Sequence, residues 1–177
     1  MAGLARASPE RRAEFGTGRA LARSALIELG APAGPIPQGA DREPVWPPGC
    51  VGSITHTPGC RAAVVAWADR VTAVGIDAEP DVCMASSVAS MVLTPEERSR
   101  LAGVDQTLAF SAKESVFKAW SPWHPGEWLD FSEVMILLES SDTFRAAFVR
   151  TGEEWPGRYT RCSGLVFSAV VRVPARA

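Results

Sequence analysis

The sequence predicts an α+β fold, and three observations carry that prediction. Two stretches have helical apolar periodicity, each is followed by β-prone segments rather than by a single strand, and Pro- or Gly-rich stretches or short polar turns separate the blocks. With 177 residues, 46% of them hydrophobic, the chain is long enough to bury a core as one compact domain or two small halves.

Ser8 is a good N-cap and Pro9 suits the first helical position. Phe15, Leu21, Ala22, Ala25, Leu26 and Leu29 then give a broad apolar stripe that Gly30 ends, with Arg11, Arg19 and Arg23 on the wetter sides of the helix. Residues 31–48, rich in Pro and Gly, read as an irregular connector. Residues 62–67 and 71–76 are β-prone and separated only by Ala68-Asp69-Arg70, so they are expected to pair as a hairpin. Thr94-Pro95-Glu96-Glu97 has the capping-box pattern, with Thr at the N-cap and Glu at N3, and starts a short helix. A second long helix covers residues 107–120 and stops near Ser121-Pro122. Residues 134–138, 144–149 and 165–173 read as three strands, the first two linked by Ser140-Ser141-Asp142. Helix then sheet, twice over, suggests two halves of similar plan, residues 1–70 and 71–177, divided near Asp69-Arg70.

The chemistry-bearing residues stand out because they interrupt apolar elements. On the strand that ends in Gly75-Ile76-Asp77-Ala78-Glu79, side chains at i and i+2 leave the same face, so Asp77 and Glu79 share one spot. Two like charges there repel and raise a carboxylate pKa unless water or a cation intervenes. With no His or Cys cluster nearby, hard oxygen ligands favour Mg²⁺, which usually takes one or two carboxylates plus phosphate and water. Glu114 and Lys118 lie four apart on one helical face, with Lys113 beside them. Alone, that spacing also fits a surface ion pair worth a few tenths of a kcal/mol. Gly52-Ser53-Ile54-Thr55-His56-Thr57 holds one of two histidines, and its small hydroxylic residues suit a turn that offers N–H and O–H donors to an anion. Three carboxylates, two lysines and a donor-rich loop together point to a metal–phosphate site.

Several classes are excluded or disfavoured. A net charge of −2 leaves no basic excess to neutralise nucleic-acid phosphates. Cys50, Cys60, Cys83 and Cys162 show no C-x-x-C pairing and read as reduced residues of a cytoplasmic protein. No apolar run reaches membrane-spanning length, and residues 1–12 lack the apolar core of a signal peptide. The expectation is a soluble monomer without nucleic-acid or membrane partners.

In order and spacing, Gly52-Ser53-Ile54-Thr55-His56, Gly75-Ile76-Asp77-Ala78-Glu79-Pro80 and Phe110-Ser111-Ala112-Lys113-Glu114-Ser115-Val116-Phe117-Lys118 resemble the motifs of the 4′-phosphopantetheinyl transferase superfamily, of the surfactin and enterobactin type. Arg42-Glu43-Pro44-Val45-Trp46-Pro47 and Arg11-Arg12-Ala13-Glu14-Phe15 add to the match, which runs from about residue 11 to 128 and is looser beyond; residues 151–163 carry no specific signal. The resemblance implies two pseudo-symmetric α+β halves with coenzyme A and Mg²⁺ in the cleft between them. It also implies an additional N-terminal stretch ahead of the arginine-bearing helix, which this sequence does not show.

The implied reaction moves the phosphopantetheine arm of coenzyme A to a serine of an acyl or peptidyl carrier protein and releases adenosine 3′,5′-bisphosphate. Attack on a charged pyrophosphate requires charge neutralisation, alignment and a proton acceptor. By the resemblance, Asp77, Glu79 and Glu114 hold Mg²⁺, Glu114 takes the serine proton directly or through water, and Lys118 neutralises the leaving phosphate with Lys113 in the same region. Arg11, Arg19, Arg42, His56 and Thr55 are implied to bind coenzyme A phosphates. Two alternatives stay open: an inactive coenzyme A or nucleotide-binding module, and a Mg²⁺-dependent phosphohydrolase. Retention of all four of Asp77, Glu79, Glu114 and Lys118 favours the transferase over the first, and the absence of a P-loop or two-metal His/Asp array weighs against the second.

Overall fold

A computed structural model describes residues 9–174, with side chains from residue 16 onward. Helix α1 (Pro9–Leu29) ends as its glycine signal requires. Gly30 sits at φ +78, its N–H bonds the Ile27 carbonyl at 3.0 Å, and the Ala31 N–H bonds the Leu26 carbonyl at 2.9 Å. These are the paired bonds of a Schellman stop, which needs a residue at ease in the left-handed region. The expected N-cap, Ser8, lies outside the described residues. Ala22 and Leu26 of α1 form a small core with Ala31, Ile36 and Cys50, against Trp46, Val65 and Trp67.

The helix packs on a two-stranded antiparallel sheet of β1 (Cys50–Thr57) and β2 (Cys60–Trp67). Here the expected hairpin is corrected: β2 pairs with β1, from Cys50 opposite Trp67 to Thr57 opposite Cys60, and not with the acidic strand. The turn is Pro58-Gly59, with Gly59 at φ +81, a two-residue connection whose proline and glycine supply the torsions a tight reversal needs. Gly52-Ser53-Ile54-Thr55-His56-Thr57 is therefore strand rather than anion-binding turn.

The acidic strand, β3 (Ala73–Pro80), belongs to a second sheet with β4 (Val134–Leu138), β5 (Thr143–Phe148), β6 (Glu154–Cys162) and β7 (Leu165–Arg172). All neighbours are antiparallel, in the order β3-β7-β6-β5-β4. Two short helices, α2 (Ser86–Val92) and α3 (Pro95–Arg100), lead to α4 (Val104–Trp120), which crosses the sheet. The capping box at α3 forms as expected, with the Thr94 hydroxyl accepting from the Glu97 N–H at 3.2 Å.

Small residues bring α4 against β3. A Cβ at Gly75 would lie 1.9 Å from the Ser115 carbonyl oxygen, so only glycine admits the helix backbone there. Ser111 meets Ser168 of β7 at 2.9 Å between hydroxyls, while Ala109, Ala112, Val116 and Ala119 fill the layer beneath Val134, Phe144 and Val170. The halves thus repeat one plan, a long helix on an antiparallel sheet, with two strands in one and five in the other among the described residues.

The two sheets meet along a seam without a main-chain ladder. Strand β3 pairs with β7 on one edge, which leaves the N–H groups of its other edge in need of acceptors. Ser53 Oγ accepts from the Ile76 N–H at 3.1 Å and Thr55 Oγ1 from the Ala78 N–H at 3.2 Å. Hydroxyls two residues apart on β1 match N–H groups two residues apart on β3. That is why small hydroxylic residues alternate in β1.

Candidate active site

The close packing of α4 on β3 sets the site. Gly75, Asp77 and Glu79 alternate on one face of β3; Gly75 meets the backbone of α4 and Asp77 meets Lys118. The Lys118 ammonium donates to Asp77 Oδ1 at 2.6 Å and to the Ile76 carbonyl at 3.3 Å. Asp77 is buried and Lys118 is about one-quarter exposed, at 25%. Thr55 Oγ1 also donates to Asp77 Oδ1, at 3.1 Å. The other carboxylate oxygen, Oδ2, is buried and has no hydrogen-bond partner among the described residues.

Glu79 and Glu114 complete the charge cluster. Burial, reinforced by the charges of Asp77 and Glu114 and opposed by Lys118, pushes the Glu79 carboxyl up to about 7. Burial likewise raises Glu114, with Asp77 adding to the shift and Lys118 opposing it. Among the described residues, one ammonium thus serves three carboxylates in a partly dry pocket, where negative charge exceeds positive.

This donor set suits a divalent cation. The oxygens are hard, the negative charge exceeds the positive, and Asp77 Oδ2 lacks a partner although buried polar atoms rarely do. Among the described residues, no three ligating side chains are already drawn together around a point. Mg²⁺ does not require that, since it usually takes one or two carboxylates and completes its shell from substrate phosphate and water.

The remaining expected residues divide. Lys113 is turned away from the cluster and buried. Its ammonium lies 2.6 Å from Glu97 Oε2 and 2.7 Å from the Phe131 carbonyl, a buried pair that ties α4 to the start of α3. Burial lowers its pKa, while its bond to Glu97 opposes that shift. The Thr55 hydroxyl has a single proton, which goes to Asp77, while its oxygen accepts from the Ala78 N–H.

In the first half, Arg19 is neither solvated nor loose, for it is buried and its Nε donates to the Ile36 carbonyl at 3.1 Å. Burial pulls the guanidinium pKa below its usual value. His56 is exposed and lies on the opposite side of β1 from Thr55, on the face that carries Ile54. A Cβ at Gly18 would lie 2.9 Å from Ile54 Cγ2, so the turn of α1 that bears Arg19 crosses the His56 face. Arg42 is exposed at φ 70 in a turn closed by the bond from the Gly39 N–H to the Glu43 carbonyl. The side chain of Arg11 lies outside the described residues.

One feature of the site has no clear signature in the sequence. Beside Glu114 a cavity of about 150 Å³ is walled by Phe117, Trp128, Leu129 and Phe131. Trp128 is 75% exposed and its ring lies 5.9 Å from that of Phe117. An aromatic four residues after Lys113 was the available signal, but its partner Trp128 comes from a loop that no periodicity connects to α4.

Comparison with known proteins bears directly on this cluster. The family model for the 4′-phosphopantetheinyl transferase N-terminal domain matches residues 1–66, and that for the 4′-phosphopantetheinyl transferase superfamily matches residues 73–167. The chain belongs to the 4′-phosphopantetheinyl transferase superfamily. Among these transferases it is 42% identical to 4′-phosphopantetheinyl transferase Svp of Streptomyces mobaraensis, over 97% of this chain and 77% of Svp. Identity to 4′-phosphopantetheinyl transferase Npt of Nocardia iowensis is 35%, over 94% of this chain and 85% of Npt. It is 34% to enterobactin synthase component D of Salmonella typhimurium, over 97% of this chain and 77% of that protein. The superfamily match spans β3 and α4, the two elements that carry the charge cluster.

Proposed function

We propose that this transferase moves the phosphopantetheine arm of coenzyme A to a carrier-protein serine at the cluster of Asp77, Glu79, Glu114 and Lys118. The single observation that carries the reading is the unpartnered, buried Oδ2 of Asp77 within a set of three carboxylates served by one lysine. That arrangement needs a cation to be stable in its charged form.

Asp77, Glu79 and Glu114 would hold Mg²⁺. When bound, the ion supplies charge neutralisation for the pyrophosphate. Lys118, one-quarter exposed, is long enough to exchange its contact with Asp77 for a phosphate oxygen and so stabilise the leaving group. Glu114, whose pKa burial raises from its ordinary value, is a stronger base than a solvated glutamate and accepts the serine proton. The apolar cavity beside it suits the uncharged part of the arm, with the phosphates held toward Lys118. His56, Arg19, Arg42 and Arg11 remain the set proposed to bind the nucleotide phosphates, supported by the passage of α1 across the His56 face of β1.

Incubation of several apo carrier proteins with the chain, coenzyme A and Mg²⁺, read by intact-mass spectrometry, tests the activity. The expected result is a phosphopantetheine adduct on serine in at least one carrier. Hydrolysis of coenzyme A with no adduct on any carrier would instead support the phosphohydrolase reading.

A further inference from the structure

We propose that Thr55 is a positioning residue for Asp77: it holds the carboxylate from across the seam so that Oδ2 alone faces the cation. This inference rests on the reading of Asp77 as a metal ligand and adds to it the group that aims the ligand.

The hydrogen-bond directions allow one assignment. The Ala78 N–H can only donate, so the Thr55 hydroxyl must accept there, at 3.2 Å. Its one proton then goes to Asp77 Oδ1, at 3.1 Å. The Lys118 ammonium reaches the same oxygen at 2.6 Å, so Oδ1 has two donors while Oδ2 has none. A carboxylate held on one oxygen from two directions cannot rotate freely about its Cβ–Cγ bond. Thr55 is itself 2% exposed and fixed in strand β1, so the restraint is rigid. Lys118 comes from α4 in the second half and Thr55 from the first, and Asp77 is clamped between them. Were Thr55 to serve a coenzyme A phosphate, its hydroxyl would have to abandon Asp77.

Hydrogen-bond partners that orient a metal ligand are worth about 10- to 100-fold in metal affinity. The test measures Mn²⁺ binding to the full chain in the presence of coenzyme A, from the electron paramagnetic resonance signal of free Mn²⁺. Thr55→Val, which keeps the shape and removes the hydroxyl, should weaken binding by about tenfold or more, and Thr55→Ser should stay within about twofold of wild type. The KM for coenzyme A at saturating Mn²⁺ should not change in Thr55→Val. Ser53→Ala removes the neighbouring seam bond without touching Asp77, and should lower stability while leaving Mn²⁺ affinity intact. If Thr55→Val does not fold, Thr55→Ala carries the same expectations. A raised KM for coenzyme A with unchanged Mn²⁺ affinity would overturn the proposal and return Thr55 to phosphate binding. Equal losses of Mn²⁺ affinity in Ser53→Ala and Thr55→Val would also overturn it, reducing Thr55 to seam packing. Absence of Mn²⁺ binding by wild type would instead sink the assignment of Asp77 as a ligand.

Discussion

Helix α4 carries two lysine–carboxylate pairs five residues apart, and they are built to opposite ends. In the pair of Lys113 and Glu97 both side chains are 2% exposed and every atom is used. Glu97 Oε1 accepts from the Ile136 N–H, Oε2 from the Thr94 N–H and from Lys113, and Lys113 also reaches the Phe131 carbonyl. Helices α3 and α4, strand β4 and the turn at Phe131 are tied at one closed knot. The pair of Lys118 and Asp77 has the same 2.6 Å contact but is left open, with a quarter-exposed lysine and a carboxylate oxygen without a partner among the described residues. Distance alone does not separate a structural pair from a reactive one. Satisfaction of the remaining atoms does.

The largest effect should come from breaking the closed pair. Lys113→Met strands a buried carboxylate that serves two backbone N–H groups, and should cost about 3–5 kcal/mol in denaturant unfolding. Lys118→Met should cost much less stability, because its pair reaches solvent, yet lose phosphopantetheine transfer. Equal destabilisation by both would erase the distinction between the pairs.

Next in size is a change at the open site that spares the fold. Glu114→Gln keeps volume but removes the proton acceptor and one charge, so turnover should fall by about 10²-fold or more. Near-normal turnover by a folded Glu114→Gln variant would remove Glu114 from the reaction.

The pH response separates the pairs more finely. The Glu79 carboxyl, ordinarily at 4.5, is pushed up to about 7 by burial first and by Asp77 second. A folded value above the unfolded one means that the folded chain binds the proton more tightly. The stability from this group is complete below its unfolded pKa and is lost as pH rises through the folded one. The Tm of the metal-free protein should therefore fall from about pH 5 to 8, and Glu79→Gln should flatten that fall. Mg²⁺ competes with the proton, so its affinity should rise over the same window. A Tm that rises with pH equally in wild type and Glu79→Gln would contradict the assignment.

The smallest effect concerns the nucleotide-phosphate set proposed for the first half. If His56 grips a coenzyme A phosphate, His56→Ala should raise the KM for coenzyme A by about tenfold, the worth of one charge-assisted hydrogen bond. The KM for the carrier should hardly move. Dephospho-coenzyme A should suffer a smaller penalty if the 3′-phosphate is the group held, and equal penalties would place His56 elsewhere.

Much of this was legible in the sequence because it is local. The Gly30 stop of α1, the Thr94–Glu97 box, and the alternation that puts Asp77 and Glu79 together follow from spacing alone. What was not legible is mostly a matter of partners. Residues 62–67 could pair on either side by propensity, and the Pro58-Gly59 turn decides it, against the loop that the hydroxyls of β1 suggest. Strand β6 is not legible because Pro156 and Gly157 interrupt its β pattern. In space Gly157 is required, for a Cβ there would enter the ring of Phe144 at 2.1 Å. Lys113 and Lys118 look alike in the sequence, and only Glu97, sixteen residues before Lys113, tells them apart.

The central claim is that the open cluster works with a divalent cation. The most direct test follows transfer to a carrier protein in excess EDTA and again after Mg²⁺ is restored, for wild type and for Asp77→Asn. Wild type should be inactive in EDTA and recover fully with Mg²⁺, while Asp77→Asn should remain impaired at Mg²⁺ levels that saturate wild type. Full transfer by wild type in excess EDTA would contradict the account.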